Sequence, residues 1–232
     1  MNNNSILKVE NLNVKLNGEK IIEDLSFEVK EGETLAILGP NGAGKTVLFR
    51  TLLGFLPFEG EIQWKLGLKI SYVPAGLPSS KDIPLTVKEF FDLKKSSQKE
   101  AVIEALSAVG LKNPEVLGKQ VSFLSTGQFQ RLLVAWGLYD NPQVLLFDEP
   151  TAGVDIRGQE SIYSLLDKLR KAKPFTILLV THDLSIIYKL ADRVVCLNKK
   201  ALCQGSPVEA LTPQHLSQLY GGGIKFYQHK HD

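Results

Sequence analysis

The chain has 232 residues, 44% of them apolar and 22% charged, with a net charge of +2. That is the composition of an ordinary folded protein, long enough for one large α/β domain, and so small a charge gives no reason to expect nucleic acid or an anionic surface as partner. No apolar run approaches the roughly 18 residues that span a bilayer, the N-terminus lacks a signal-peptide pattern, and Cys196 and Cys203 lack metal-ligand spacing, so a reducing, cytosolic setting is expected.

Residues 6–10 and 25–29 alternate apolar with polar side chains, as half-buried antiparallel strands do, and Asn17-Gly18 between them is a turn signal. Thr34-Leu35-Ala36-Ile37-Leu38 is a short apolar run typical of a buried strand. Gly39-Pro40-Asn41-Gly42-Ala43-Gly44-Lys45-Thr46 follows at once and fits G-x-x-x-x-G-K-[ST]. Apolar residues then recur at helical spacing through residue 53. A glycine loop between strand and helix is a phosphate cradle: its amides point at an anion, at a helix end whose dipole favours negative charge. Lys45 is expected to reach the β- and γ-phosphates, and the Thr46 hydroxyl to ligate Mg²⁺.

Two short strands are expected at 60–64 and 69–73. Residues 74–84 read as loop, and a helical section follows. Thr86 and Glu89 form a capping box ahead of Phe90-Phe91, residues 101–109 are amphipathic, and Asn113-Pro114 ends that helix. Ser125 can cap a further helix, which begins at Gln128 and stops before Pro142. Gly127 lets amides face outward there, as a second anion site. Val144-Leu145-Leu146-Phe147 reads as a strand buried on both faces. It delivers Asp148 and Glu149 to its C-terminal end, where ligands bind in open parallel sheets. Asp148 is placed to hold Mg²⁺ opposite Thr46, and Glu149 to orient or deprotonate an attacking water. After a helix at 156–169, a second buried strand at 175–180 leads to His182, placed to contact a γ-phosphate, while Asp183 caps the next helix. Two edge strands at 193–197 and 201–204 carry the cysteines as plain core or edge residues, and two short helices started by proline follow. Helix alternating with buried strand predicts a doubly wound α/β fold. It is read as one domain over residues 1–220, with a helical section inserted at about 76–130 and a flexible tail at 221–232.

Leu124-Ser125-Thr126-Gly127-Gln128 departs in one residue from Leu-Ser-Gly-Gly-Gln, the signature loop of the ATP-binding cassette (ABC) ATPases. The order glycine loop, signature, Asp148-Glu149, Ala152-Gly153-Val154-Asp155 and His182 resembles that family over nearly the whole chain. The resemblance implies a P-loop ATPase with a RecA-like core, an antiparallel β subdomain and an inserted helical subdomain, working with ATP and Mg²⁺ as a head-to-tail homodimer. The signature loop of one copy, through Ser125, Gly127 and Gln128, closes on ATP held by residues 39–46 of the other, and Asp155 packs at that interface. It also implies a peripheral position on the cytoplasmic face of the membrane, beside an integral membrane permease.

Residues 145–155, Val195-Cys196-Leu197-Asn198 and the tail with His229 and His231 are similar to the ATPase subunits of bacterial zinc and manganese importers. That implies metal-ion import and an extracytoplasmic metal-binding protein in the same system. His229 and His231 could themselves share a metal ion or simply be solvated. The section from Val73 through Phe91 corresponds to the cleft that receives a permease helix, with Phe90 and Phe91 as candidates for apolar contact or for core packing.

Two residues depart from the family pattern. Leu16 stands where the family stacks an aromatic ring on adenine, keeping apolar contact at a loss of about 1 kcal/mol. Ala75 follows Tyr72-Val73-Pro74 where the family has a switch glutamine that reaches Mg²⁺ and the attacking water. Slow or weakly coupled hydrolysis with binding preserved is therefore expected. A nucleotide-gated regulatory module of the same fold, with no transport role, is the second expectation.

Overall fold

The computed structural model describes residues 4–74, 83–94, 97–149, 156–172 and 174–221, with residues 156–161 described by backbone alone. Ala75, Asp155, His229 and His231 lie outside the residues whose side chains are described. In chain order the elements are β1 (Ser5–Leu16), β2 (Glu19–Lys30), β3 (Thr34–Leu38), α1 (Lys45–Leu52), β4 (Glu59–Trp64), β5 (Ile70–Val73), α2 (Val87–Asp92), α3 (Lys99–Ala108), α4 (Thr126–Leu138), β6 (Val144–Asp148), α5 (Ile156–Ala172), β7 (Thr176–Val180), α6 (Leu184–Leu190), β8 (Arg193–Asn198), β9 (Lys200–Gly205), α7 (Pro207–Ala210) and α8 (Pro213–Tyr220). The chain forms two compact units, residues 1–65 with 178–232, and residues 66–177. Among the described residues no helix is long and apolar enough to cross a membrane.

In the first unit β1 and β2 pair antiparallel through Asn17-Gly18, both at positive φ (49° and 83°), which matches a two-residue turn to the twist of its strands. Both strands run further than the simple alternation predicts. A register shift around Asn11 (φ 49°) moves the buried set from Leu7 and Val9 to Leu12 and Val14, so apolar residues stay on one face. β4 pairs with the other edge of β1. A second sheet in this unit runs in the order β7-β3-β8-β9, β7 contributing its last three residues. Ala36, Leu38, Val194 and Cys196 of that sheet share a core cluster with Ile187, Leu211, Leu216 and Leu219 from the helical segments. Each leucine, isoleucine or valine of the cluster stabilises the fold by about 1.5–3 kcal/mol when fully buried.

Two expectations are corrected here. β8 is not an edge strand: it pairs in parallel with β3 (Leu38 beside Cys196) and antiparallel with β9, as its buried apolar run requires. Cys196 and Cys203 are core residues but not separate ones. Directly opposed positions on an antiparallel pair bring Cβ atoms together; here the Cα atoms are 4.9 Å apart and the sulfurs are bonded.

In the second unit β5 and β6 pair in parallel, with Tyr72 beside Leu146. β7 starts beside β6, where the Thr176 amide donates to the Gln143 carbonyl (2.9 Å). The capping box forms as expected, the Glu89 amide donating to Thr86 Oγ1 (3.2 Å) and the Thr86 amide to Glu89 Oε2 (2.8 Å). It directs both phenylalanines inward. Phe91 meets Tyr139 edge-on with centroids 5.4 Å apart, and Phe90 lies 5.8 Å from Trp136. Lys94 covers the Trp136 ring at 3.8 Å and pairs with Asp140 at 2.8 Å. Phe90 and Phe91 are therefore both core residues, 8% and 0% exposed, and neither is a surface contact. α4 begins at Thr126, two residues earlier than expected, because Ser125 caps it from immediately outside.

Candidate functional site

β3 is buried along its whole length and carries the chain to Gly39 at its C-terminal end. A Cβ at Gly39 would stand 2.1 Å from the Leu197 carbonyl oxygen, so the first loop position accepts only glycine. Gly44, at φ 96°, caps α1 without a side chain, the arrangement in which a helix start offers its amides to an anion. Lys45 is 6% exposed and turns back into the loop, donating to the carbonyls of Gly39 (2.9 Å) and Pro40 (3.0 Å). A buried ammonium gains most by meeting an anion. Asn41, Gly42 and Thr46 are exposed, while Ala43 is buried.

The β8–β9 hairpin fastens this loop: the Lys199 amide donates to the Ala43 carbonyl (3.3 Å), and Lys199 itself sits at φ 59°. Nothing local in the sequence marks Leu197 or Lys199 as partners of the loop. His182 is exposed and follows Thr181, whose amide donates to the Ile37 carbonyl (3.4 Å). Gly39 and His182 thus leave neighbouring strand ends of one unit. Asp183 keeps its capping role, accepting from the amides of Ser185 (2.8 Å) and Ile186 (3.4 Å).

In the second unit β6 ends at Asp148, which is fully buried, and Glu149 follows half-buried at φ 43°. Left-handed backbone costs a non-glycine residue about 1–2 kcal/mol and is held mainly where function needs it. The Tyr72 hydroxyl donates to Asp148 Oδ2 at 3.4 Å. Tyr72 reads from the sequence as an ordinary strand residue, and only the register of β5 on β6 shows that it reaches the carboxylate. The Thr46 hydroxyl and the Asp148 carboxylate are hard oxygen donors of the kind Mg²⁺ takes, so the residue types fit that ion.

Ser125 and Gln128 hold each other at the start of α4. The Gln128 amide donates to Ser125 Oγ (3.2 Å), and the Ser125 amide donates to Gln128 Oε1 (3.0 Å). The serine hydroxyl accepts in this box and keeps its proton to donate elsewhere. A Cβ on Gly127 would meet nothing within 4 Å, so nothing among the described residues demands glycine there. Ser125 and Thr126 are exposed, and so is Phe123 just before them, at 78%.

Residues 22–152, more than half of the chain, match a family model described as ABC transporter. Among solved structures the chain is similar to a transporter described as of metal-chelate type in an inward-facing conformation, with 28% identity, 94% of this chain and 89% of that one covered, and a TM-score of 0.79. It is equally similar to cbiO1 from Clostridium perfringens, part of the ABC transporter complex cbiONQ (28% identity, 93% and 94% covered, TM-score 0.78). A bacterial Atm1-family ABC exporter with ATP bound matches at 25% identity over 96% of this chain and 43% of that one, with a TM-score of 0.77.

Proposed function

The chain belongs to the ABC transporter family as an ATP-binding subunit, and from that premise we propose that it drives import of a metal ion, zinc or manganese, through a separate membrane permease. Subunits of this family hydrolyse ATP, dimerise and work with membrane permeases. In the proposed cycle two copies meet head to tail on the cytoplasmic face of the membrane, ATP closes the dimer and hydrolysis reopens it. An extracytoplasmic metal-binding protein delivers the cargo.

The observation that carries the ATPase reading is the buried Lys45 ammonium turned into a loop of glycine amides. The triphosphate enters that loop, where Lys45 gains phosphate oxygens as charged partners. Thr46 and Asp148 would hold Mg²⁺, which would neutralise phosphate charge when bound. Glu149 orients the attacking water and takes its proton. His182 contacts the γ-phosphate. Ser125, Gly127 and Gln128 of the other copy close over that phosphate, and Asp155 packs at the same interface. The metal cargo is supported by the similarity to a transporter described as of metal-chelate type and by the importer-like stretches in the sequence.

A nucleotide-gated regulatory role is the second reading, favoured by Ala75, which cannot reach water or Mg²⁺, and by Leu16, which offers no π face. ATPase turnover beside Glu149→Gln and Ala75→Gln separates the two, together with co-purification of a membrane permease and zinc or manganese uptake by the reconstituted complex. Wild type is expected to exceed Glu149→Gln, and Ala75→Gln to exceed wild type. A wild type no faster than Glu149→Gln would remove the motor reading.

A further inference from the structure

Just before α4 a 3-10 turn, Val121–Phe123, holds an aromatic ring in solvent. Val121 is fully buried and its amide donates to the Leu85 carbonyl (2.8 Å); Leu124 is 5% exposed and its amide donates to the Val121 carbonyl (3.1 Å). Phe123, between these anchors, is 78% exposed. An unburied phenyl ring forgoes the stabilisation that burial gives. Here the backbone on both sides is pinned, so the ring is presented in a fixed place. Lys119, Gln120, Ser125 and Thr126 around it are also exposed, and residues 116–139 contain no Asp or Glu. A cation, hydroxyls and one flat ring match the chemistry of a nucleotide, and the carboxylate of Glu89, beside the Thr86–Gln120 bridge, is held in its own cap.

We propose that Phe123 stacks on the base of the ATP held by a second copy of this chain. The proposal rests on the head-to-tail dimer above, in which Ser125 meets the γ-phosphate. Two extended residues span at most about 7 Å. With Ser125 at the γ-phosphate, a ring carried at position 123 is therefore close enough to reach the rest of the nucleotide. The glycine loop of the second copy grips only phosphate, and its half-buried Leu16 has no π face. Phe123 supplies that face across the interface.

The test measures dimerisation of full-length Glu149→Gln protein by sedimentation, once with Mg-ATP and once with the magnesium salt of ribose 5′-triphosphate, which lacks the base. ATP is expected to support the dimer about tenfold better than the baseless analogue, as stacking of a base on an aromatic side chain requires. Adding Phe123→Ala should abolish that ratio while leaving ATP affinity of the dilute monomer unchanged, and Phe123→Trp should retain the ratio. An unchanged ratio in Phe123→Ala overturns the proposal and leaves the dimer reading intact. A Phe123→Ala defect confined to co-purification with the permease also overturns it, giving the ring to the permease. No dimer with Mg-ATP in the parent protein overturns the function reading itself.

Discussion

Lys45 points its ammonium into its own loop, 2.9 Å from the carbonyl oxygen of Gly39. The side chain is thereby preset in the position from which it meets a phosphate, and binding adds charged partners to it. Charge-assisted hydrogen bonds are worth about 1.5–3 kcal/mol. Lys45→Met should therefore weaken Mg-ATP binding by roughly 10- to 150-fold, read by calorimetric titration. Unchanged affinity would show that the loop is not the triphosphate site.

Glu149 combines a carboxylate at the tip of β6 with left-handed backbone at φ 43°. Glu149→Gln keeps the shape and removes the base, so turnover should fall by about 10²- to 10⁴-fold with ATP affinity preserved. Glu149→Gly should also lose turnover and at the same time raise stability by about 1 kcal/mol, because glycine adopts this conformation freely. A denaturation midpoint that drops in Glu149→Gly would refute the strain argument.

Gly127 lies in the first turn of α4 with open space where a Cβ would stand. Gly127→Ala should leave the isolated chain folded and raise its stability by about 0.5–1 kcal/mol, since alanine favours helix. ATP-dependent dimerisation should nevertheless weaken, because the methyl group meets the nucleotide of the other copy. Thermal melting and light scattering check the two halves separately. A variant that dimerises normally would place the signature loop away from the nucleotide.

Cys196 and Cys203 close a short loop, seven residues apart in sequence, across β8 and β9. Peptide mapping under non-reducing conditions should recover them linked, and reduction should release two thiols and lower stability by about 2 kcal/mol on loop-closure grounds. Two free thiols in the unreduced, denatured protein would contradict the bond.

Two donors on Thr86, its backbone amide first and then its hydroxyl, hold the Glu89 carboxyl below its ordinary value of 4.5. Because the folded form binds the proton more weakly, the contribution of this cap is fully present above that ordinary value. It is lost as pH falls through the depressed one. The stability difference between wild type and Glu89→Gln, measured in urea at pH 6 and again in strong acid, should shrink in acid. A difference independent of pH would show that the ionised carboxylate does not make the cap.

What the sequence determined by itself was local. The glycine loop, the acidic tip of β6, the capping box at Thr86, the cap at Ser125 and the turn at Asn17-Gly18 depend on backbone dihedrals and periodicity within a few residues, and each lies where the sequence places it. The start of α4 comes two residues earlier, and the Gln128 half of the Ser125 box is seen only in the structure. Only the tertiary structure decided that the Leu197 carbonyl excludes any side chain from Gly39, that Tyr72 reaches Asp148, that β8 runs between β3 and β9, and that both Phe90 and Phe91 turn inward. Those relations are set by which strands become neighbours, in what register, and by which face of a helix finds a partner. No window of adjacent residues contains that information, because burial is won by the folded chain as a whole.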